Sequence, residues 1–496
     1  MPTECSTDCF DFAAVEGHKV VAGFDGGVIS SDAGALLLGQ TNRALRLVER
    51  FAGCFVDRRR PEWVEHSVAT LVGQRVYGLA LGYEDLIDHD QLRHDPLFGV
   101  LAGKLQARRA DCAAVAGKST LNRLELSRPE PSRYHKISYE AEAIEALLVE
   151  LFLEAHGAEP DQIILDLDAT DDPLHGEQEG RFFHGYYDSY CYLPLYIFCG
   201  RELLVAKLRR SNIDASAGAI EQLERLAAHI RGRWPKVRIL LRADSGFARE
   251  ELMAWCEGNG IDYVFGLAKN DRLIAVIGAE LAAAAMDSEQ SGTPARRFKD
   301  FSYRTLDSWS CERRVIGKAE WMGPSLAEAE DATKPSRQPK KHKKKRQAVT
   351  VGDIDLATLE GRANPRFIVT SLQADPHPAG ALYEKLYCAR GEMENRIKEC
   401  QLDLFADRTS AHTMRANQLR LYFASMAYVL VNALRRIGLA ATRFIDATCG
   451  TIRLKLLKIG ALVRISVRRV KFSMASAFPY TDVFRTAWAA LDRAAH

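Results

Sequence analysis

Two short apolar runs that each end at an aspartate constrain the fold of this chain more than any other feature. The first is Ile-Ile-Leu-Asp-Leu-Asp at 163–168, and the second is Val-Arg-Ile-Leu-Leu-Arg-Ala-Asp at 237–244. The pattern between them predicts an amphipathic helix over 218–230, and a second helix and strand follow over 249–257 and 263–267. Strand, helix and strand in this order are typical of an α/β fold with parallel strands, because a parallel connection needs a crossover.

Both aspartates stand where their predicted strands end. Side chains alternate along a strand, so Asp166 and Asp168 share one face while Leu165 and Leu167 share the other. In open α/β sheets, ligands bind at the carboxyl ends of strands, which makes Asp168 and Asp244 candidate metal ligands. Solvated acids at turns would explain either aspartate alone. Nearby acids that could replace Asp168 as a ligand are Asp166, Asp171 and Asp172.

A third carboxylate, Glu394, belongs to a helical pattern with a polar face. At about 100° per residue, that narrow face holds Tyr387, Arg390, Glu394 and Lys398, and Gln401 joins it. An amphipathic helix with Glu–Lys pairing would explain part of this pattern, but not the alignment of Tyr and Arg beside Glu. Carboxylates brought together from distant segments are what Mg²⁺-dependent phosphodiester chemistry needs. The apolar stripe about a quarter turn away consists of Leu386, Ala389, Met393, Ile397, Cys400 and Leu404.

These segments resemble bacterial insertion-sequence transposases of the DDE type. The resemblance rests on Leu-Asp-Leu-Asp-Ala-Thr, Phe-His-Gly-Tyr-Tyr-Asp-Ser-Tyr, Arg-Ala-Asp-Ser-Gly-Phe and Tyr-Cys-Ala-Arg-Gly-Glu-Met-Glu-Asn, which occur in family order within about 23–436. The subgroup signature Y-x2-R-x3-E-x6-K is matched at Tyr387, Arg390 and Glu394, whereas Gln401 stands where Lys is expected. Lys398, one helical turn after Glu394, is the candidate for that role.

The resemblance implies an α/β ribonuclease-H-like catalytic core with a β-rich insertion and flanking helical segments. It implies that Asp168, Asp244 and Glu394 are catalytic and hold two Mg²⁺ ions, with Mn²⁺ as a substitute. The residues expected to contact DNA are Tyr387, Arg390, Lys398, Gln401 and His184.

The expected function is cut-and-paste DNA transposition. Such a protein binds the terminal inverted repeats, cleaves the DNA strand at the element's end and joins it to target DNA, and a homodimer on double-stranded DNA is expected because two ends must meet. A stand-alone Mg²⁺-dependent endonuclease or a catalytically silent DNA-binding protein of the same fold are the alternatives. A phosphate-loop ATPase is disfavoured, because the Gly-Lys-Ser at 117–119 follows Cys112 where the motif requires Gly.

The domain plan follows the change from helical to strand patterns. Residues 1–155 are expected to form a mainly helical DNA-binding or dimerisation region, within which 67–81 and the residues from 84 onward could form a helix-turn-helix. The ribonuclease-H-like core would consist of 156–270 and 381–436, interrupted by a β-rich insertion at 271–380, and 437–496 would form a basic C-terminal region. The insertion carries a loop at 331–347 with the run Lys-Lys-His-Lys-Lys-Lys-Arg, interpreted either as a phosphate-binding loop or as a plain solvated loop.

Composition fits a cytoplasmic protein that does not enter membranes, and the resemblance implies that the protein is associated with the bacterial nucleoid. Eleven cysteines without a CxxC pair, and acidic residues in place of an apolar leader near the start, favour a reducing compartment. The apolar run at 421–434 is too short to span a bilayer and predicts a buried helix. The net charge is only +2, yet 14 Lys/Arg stand against 3 Asp/Glu after residue 410, which suggests that this end of the chain faces a polyanion.

Overall fold

The computed structural model of the chain describes residues 9–306, 308–322 and 363–496, together with two short strands between the last two ranges. The predicted basic loop at 331–347 lies outside the described residues. Among the described helices, none is long and apolar enough to cross a membrane.

The strands, numbered along the chain, are β1 (Cys9–Val15), β2 (His18–Gly23), β3 (Ile29–Ser30), β4 (Phe55–Asp57), β5 (Ile137–Tyr139), β6 (Gln162–Ala169), β7 (Asp172–Pro173), β8 (Phe182–His184), β9 (Ser189–Tyr192), β10 (Leu195–Cys199), β11 (Glu202–Lys207), β12 (Arg238–Ala243), β13 (Asp262–Leu267), β14 (Ala295–Tyr303), β15 (Arg313–Trp321), β16 (Thr350–Val351), β17 (Ile354–Asp355), β18 (Arg366–Thr370), β19 (Ala461–Ser466) and β20 (Arg469–Met474). The α-helices span Leu36–Leu45, Leu47–Ala52, Val68–Ala80, His89–Leu92, Pro96–Leu101, Lys118–Glu125, Ala141–His156, Ala219–Arg233, Glu250–Gly258, Asp271–Val276, Gly278–Ser291, Ala379–Ala381, Gly391–Lys398, Met414–Ala433, Cys449–Ile452 and Thr481–Ala494.

Five strands form a ribonuclease-H-like sheet. The strands β6, β10 and β11 follow one another as an antiparallel meander. On the other side of β6, β12 pairs parallel with β6, and β13 pairs parallel with β12. The resulting spatial order is β11-β10-β6-β12-β13, in which β10 alone runs against the other four. The predicted fold class is therefore confirmed.

The β-rich insertion extends this sheet at the β13 edge. The strand β18 pairs antiparallel with β13, and β15 and β14 follow as further antiparallel strands, so that the complete sheet has eight strands. The insertion also carries the helices Asp271–Val276 and Gly278–Ser291. Its strands therefore continue the hydrogen-bonded ladder of the core.

The two faces of the central strands pack against different partners. Leu165, Leu167 and Leu241 lie in one apolar core together with buried residues of the helices Ala219–Arg233 and Glu250–Gly258. The opposite face packs against a helical run at 379–403, which joins an α-helical turn, a π-helical turn, a 3-10 turn, the α-helix Gly391–Lys398 and a second π-helical turn. Because side chains alternate along a strand, Asp166 and Arg242 face this helical run.

A buried ion pair joins β6 to β12 beneath the helical run. Asp166 and Arg242 occupy the same register position of the parallel strands. Arg242 donates from Nε and Nη2 to the two carboxylate oxygens of Asp166 at 2.5 and 2.7 Å, and both side chains are buried. The third nitrogen of the fork, Nη1, donates to the carbonyl oxygen of Leu386 at 2.6 Å. Both oxygens of Asp166 are thus engaged, which leaves Asp168 as the acid at the strand end.

The helical region is centred on Met414–Ala433, whose residues are almost all buried, as the sequence predicted for 421–434. It packs against Val68–Ala80, which is itself buried from Thr70 to Ala80. After Gly82 the chain forms the 3-10 turn Leu86–Asp88, which continues directly into the four-residue helix His89–Leu92, so the second helix of the predicted helix-turn-helix is much shorter than the first. Its role in DNA binding stays a prediction.

Replacing Arg242 with Met should destabilise the fold, because it leaves the buried carboxylate of Asp166 without its partner. Removing one member of a buried ion pair costs about 3–5 kcal/mol in the free energy of unfolding. Urea unfolding monitored by circular dichroism would measure this loss. The control is Arg238→Met on the same strand, an exposed side chain without an ion pair among the described residues, which should change stability by less than about 0.5 kcal/mol. Equal effects of the two substitutions would contradict the structural role of the pair.

Candidate active site

Asp168 and Asp244 lie beside each other at the carboxyl ends of β6 and β12. The register pairs Leu167 with Ala243, so the next positions, Asp168 and Asp244, fall opposite each other. Neighbouring strands are about 4.8 Å apart, and paired residues of parallel strands point to the same face. The two predicted carboxylates are therefore brought together, two residues beyond the Asp166–Arg242 pair and on the same face.

The environment of Asp168 disfavours its charge. Burial raises the pKa of Asp168 to about 7, the negative charges of Asp244 and Glu394 add to the shift, and Arg390 opposes it. The backbone amide of Ala169 donates to Asp168 Oδ1 at 3.0 Å. Two acids at neighbouring strand ends thus repel each other in a partly desolvated place.

Asp244 is held by the turn that follows it. The backbone amide of Gly246 donates to Asp244 Oδ1 at 2.9 Å. A Cβ atom at Gly246 would lie 3.0 Å from that same oxygen and 3.1 Å from Ala215 Cβ, so the turn leaves little room for a larger residue. The predicted Ser-Gly turn after the strand is confirmed, and it fixes the orientation of the carboxylate.

The third predicted carboxylate, Glu394, approaches from the helical run together with Arg390. Arg390 Nη2 donates to Glu394 Oε1 at 3.1 Å. The Arg390 side chain is 19% exposed, whereas that of Glu394 is 47% exposed. Burial alone would lower the pKa of Arg390, but Tyr387, Asp168, Glu394 and Asp244 raise it above its usual value. The guanidinium therefore lies within electrostatic reach of all three carboxylates.

Tyr387 contacts the sheet beside Asp244 because β13 has a glycine there. A Cβ atom at Gly266 would lie only 2.6 Å from the hydroxyl oxygen of Tyr387 and 2.9 Å from the backbone nitrogen of Ser245. Burial raises the pKa of Tyr387, Arg390 lowers it and Asp244 adds to the rise. Sequence reasoning missed Gly266, although a glycine inside a predicted strand is a signal of close approach.

The predicted polar face of the helical run does not continue as far as Gln401. Gln401 lies in the π-helical turn Glu399–Asp403, and its Nε2 donates to Asp172 Oδ1 at 3.1 Å and to the carbonyl oxygen of Asp171 at 3.2 Å. The i→i+5 hydrogen bonding of a π-helix places more residues in each turn than the 3.6 of an α-helix. The expectation that Gln401 shares the face of Glu394 is corrected for this reason, whereas Lys398 is exposed one turn after Glu394.

The predicted apolar stripe of the run is confirmed except at Ala389, since Leu386 packs against the core beneath the run. Met393, Ile397, Cys400 and Leu404 are buried, while Ala389 is exposed. The carboxyl group that Gln401 contacts, Asp172, is buried, and burial raises its pKa well above the usual range. In the structure, Gln401 therefore donates a hydrogen bond to a buried carboxyl group.

His184 lies in a small sheet formed by β7, β9 and β8 near the end of β6. Its ring is 4.9 Å from the ring of Tyr187, whose hydroxyl donates to the carbonyl oxygen of Ala169 at 3.3 Å. Tyr186 at the hairpin tip is 86% exposed. The structure thus places the predicted His184 beside the strand end that carries Asp168.

A protein-family model matches residues 12–329 and 354–496 of this chain, and its description is Transposase DDE domain group 1. The chain belongs to this transposase family. The residues between the two matched ranges include the run Lys-Lys-His-Lys-Lys-Lys-Arg, so the match does not cover the predicted basic loop.

Among solved structures, the chain is similar to the piggyBac transposase in a synaptic complex with hairpin DNA. The two share 11% sequence identity, the match covers 86% of this chain and 80% of that chain, and the TM-score is 0.40. No curated protein sequence matches the chain.

The donor chemistry at the site of this transposase-family protein fits a hard divalent cation. A cation between Asp168 and Asp244 would offset the repulsion that contributes to the raised pKa of Asp168, and carboxylate oxygens are the ligands that Mg²⁺ prefers. Within the described parts of the chain, no three His, Cys, Asp or Glu side chains are close enough together to hold a metal ion as they stand. Glu394 pairs with Arg390, and its exposure leaves room for the side chain to rotate.

Asp168 should make the stability of the metal-free protein fall as the pH rises. The folded-state pKa of about 7 exceeds the value of about 3.9 in unfolded chains, so the folded state binds more protons between these values. Unfolding free energies measured in EDTA should therefore decrease between about pH 4 and pH 7. Asp168→Asn should remove this part of the decrease, whereas Asp161→Asn, at an exposed position just before β6, should leave the pH profile unchanged. An unaltered profile in Asp168→Asn would contradict the clustering of the carboxylates.

Proposed function

We propose that this protein is a cut-and-paste DNA transposase of a bacterial insertion sequence, acting on chromosomal DNA at the nucleoid. It would bind the terminal inverted repeats, hydrolyse the phosphodiester bond at the element's end and join the resulting 3′-hydroxyl to target DNA. One observation supports the proposal most strongly. Asp168 and Asp244 lie side by side at the carboxyl ends of β6 and β12, with the Arg390–Glu394 pair close by, in a chain that belongs to a transposase family. Two element ends must be joined to one target, which supports a homodimer on DNA.

Asp168, Asp244 and Glu394 are proposed to hold two Mg²⁺ ions. When bound, the ions would stabilise the negative charge of the attacked phosphate and of the leaving oxygen, and Mn²⁺ is proposed to substitute for Mg²⁺. The two aspartates are fixed by the sheet and by backbone amides, so they would orient the ligand set before DNA arrives. Glu394 would join them by turning away from Arg390.

Arg390 is proposed to grip the scissile strand once Glu394 has turned away. Its planar fork suits two phosphate oxygens, and its partial burial keeps the guanidinium from being fully hydrated. Tyr387, whose hydroxyl group packs over Gly266, would keep the Arg390 side chain in position and contact the DNA backbone. The hairpin that carries His184 and the exposed Tyr186 would line the DNA path on the β6 side.

The two candidate phosphate contacts at the end of the helical run differ in what they face. Lys398 is exposed, so a DNA phosphate can reach its ammonium group. Gln401 points to Asp172 and Asp171. We therefore assign the role of the signature lysine to Lys398.

Glu394→Gln should abolish strand cleavage and strand joining while leaving DNA binding intact, because the amide removes a charged ligand without changing the shape of the side chain. The matched control is Glu392→Gln, two residues earlier in the same helix, where the side chain is 75% exposed and contributes only a 3.9 Å contact to Arg396. The assay combines protein, Mg²⁺ and a plasmid that carries the inverted repeats flanking the gene, and gel electrophoresis resolves the products. Joined products support a transposase, whereas cleavage without joining would support the endonuclease alternative. Full activity in both Asp168→Asn and Glu394→Gln would contradict the assignment of these carboxylates as metal ligands.

Lys398→Gln should weaken DNA binding. The slope of log affinity against log salt concentration should become shallower by about 0.9, the contribution of one phosphate contact. Gln401→Leu should leave that slope unchanged but reduce the free energy of unfolding by about 1–3 kcal/mol, because Asp172 loses a hydrogen-bond donor in a buried place. Fluorescence anisotropy at several salt concentrations and urea unfolding separate the two effects. If Gln401→Leu changed the salt slope and Lys398→Gln did not, the DNA contact would have to be assigned to Gln401 instead.

A further inference from the structure

The antiparallel hairpin formed by β19 and β20, here called the basic ribbon (461–474), lies outside the sheet that carries the carboxylates. It belongs to a three-stranded sheet of order β20-β19-β3. Its register pairs Arg464 with Lys471 and Ser466 with Arg469, which leaves Val467 and Arg468 at the tip. Each strand has six residues and is therefore about 20 Å long.

The basic ribbon has one polar face and one apolar face. Because paired residues of neighbouring strands point to the same side, one face carries Arg464, Ser466, Arg469, Lys471 and Ser473, with Leu462 as its one apolar residue at the base. The other face consists of Ala461, Val463, Ile465, Val470, Phe472 and Met474. This alternation is typical of a ribbon that packs on the protein body by one side and presents the other to a partner.

The base of the ribbon is fixed to the body, while its outer half projects. Ala461 and Val463 are buried, and Phe472 packs against the large helical core. Towards the tip, Ile465 is 55% exposed and Val467 is fully exposed. The cations of the outer half are thus carried on a scaffold with a defined position.

The polar face holds cations without compensating acids. Arg464 and Lys471 are directly opposite each other, an arrangement of like charges that destabilises an isolated hairpin. No Asp or Glu occurs between Asp446 and Asp482, a stretch with seven Lys or Arg. Within the described residues, the four cations at positions 464, 468, 469 and 471 form no ion pair. An anionic partner would relieve the repulsion that the fold itself leaves unbalanced.

We propose that the basic ribbon is a docking site for duplex DNA, with its cationic face on the phosphates that border a groove. The proposal rests on the proposed function, which supplies DNA as the substrate. A two-stranded ribbon fits the major groove of B-form DNA, which is about 12 Å wide, and side chains at its edges then reach the phosphates on both sides. The ribbon binds DNA at a place separate from the sheet edge that carries Asp168 and Asp244.

Duplex DNA fits this surface better than RNA does. The major groove of an A-form RNA helix is too deep and narrow for protein side chains to enter, and single-stranded RNA is bound chiefly by stacking on aromatic side chains. The polar face of the ribbon carries arginine, lysine and serine, while its aromatic residue, Phe472, faces the core. The chemistry of the exposed face is that of phosphate contacts.

The test compares two double variants of the full-length protein that each lose two positive charges. The ribbon variant is Arg464→Ser with Lys471→Ser, and the control is Lys236→Ser with Arg238→Ser. Lys236 and Arg238 are exposed cations without an ion pair in the described structure, at the end of β12 opposite to Asp244. Binding of a fluorescently labelled duplex is measured by anisotropy over a range of salt concentrations, in EDTA, so that affinity is read without catalysis. Thermal unfolding verifies that the ribbon variant melts no lower than the wild type, as the loss of a like-charge pair predicts.

The ribbon variant should bind duplex DNA at least about tenfold more weakly at low salt, and its salt slope should fall by about 1.8, the contribution of two phosphate contacts. The control variant should keep the wild-type affinity and slope. Equal affinity and slope in the ribbon variant and the control would overturn the proposal, and so would stronger competition by a structured RNA than by unlabelled duplex DNA. Strand cleavage by the wild type is measured separately with Mg²⁺. Its absence would count against the proposed transposase activity without altering the comparison of the ribbon variants.

Discussion

The buried pair between Arg242 and Asp166 is the interaction on which the arrangement of the candidate site depends. The two residues share a register position on β6 and β12, and a slip of one residue would turn their side chains to opposite faces of the sheet. Asp168 and Asp244 follow two residues later on the same strands, so the register that buries the pair also sets the two carboxylates beside each other. Burial raises the pKa of Asp166 even though Arg242 opposes the shift, so desolvation of the carboxylate outweighs the attraction. The pair therefore specifies the register more than it adds stability.

The same arginine positions the third carboxylate through the helical run. Its remaining nitrogen donates to the carbonyl oxygen of Leu386, close to the start of the run. Near the other end, Glu399 accepts from the buried Arg435 at 2.6 Å and from the backbone amide of Cys449 at 2.8 Å. A helical segment held at both ends has little freedom to slide along the sheet. Glu394 lies between these anchors on an exposed face, so its side chain has room for other rotamers while the backbone of the run is held in place.

The central strands of the core could be predicted, because their signals are local. The apolar runs before Asp168 and Asp244 predicted β6 and β12, and the polar pattern around Glu394 predicted a helix beside them. The ion pair itself was open to prediction, since aligning the two runs as parallel strands places Asp166 opposite Arg242. The π-helical turn that redirects Gln401 was not, because it depends on contacts with residues far away in the chain. The same holds for the insertion strands, whose pairing with β13 is a non-local choice, and for the second helix of the predicted helix-turn-helix, which is much shorter than the first.

The near-neutral total charge of the chain conceals two kinds of cation with different physical behaviour. Arg390 is largely buried among carboxylates, where a charge interaction is strong and only weakly screened by salt. The cations of the basic ribbon are exposed, and at physiological ionic strength their fields decay over about 8 Å. Contacts made by exposed cations gain affinity through the release of counterions and weaken steeply as salt rises. If the proposed function and the proposed docking site are right, the ribbon would bind duplex DNA reversibly, and the same change in salt would affect the contact between Arg390 and the scissile phosphate much less. The difference follows from burial, because Arg390 and three of the four ribbon cations, Arg464, Arg468 and Arg469, carry the same guanidinium group.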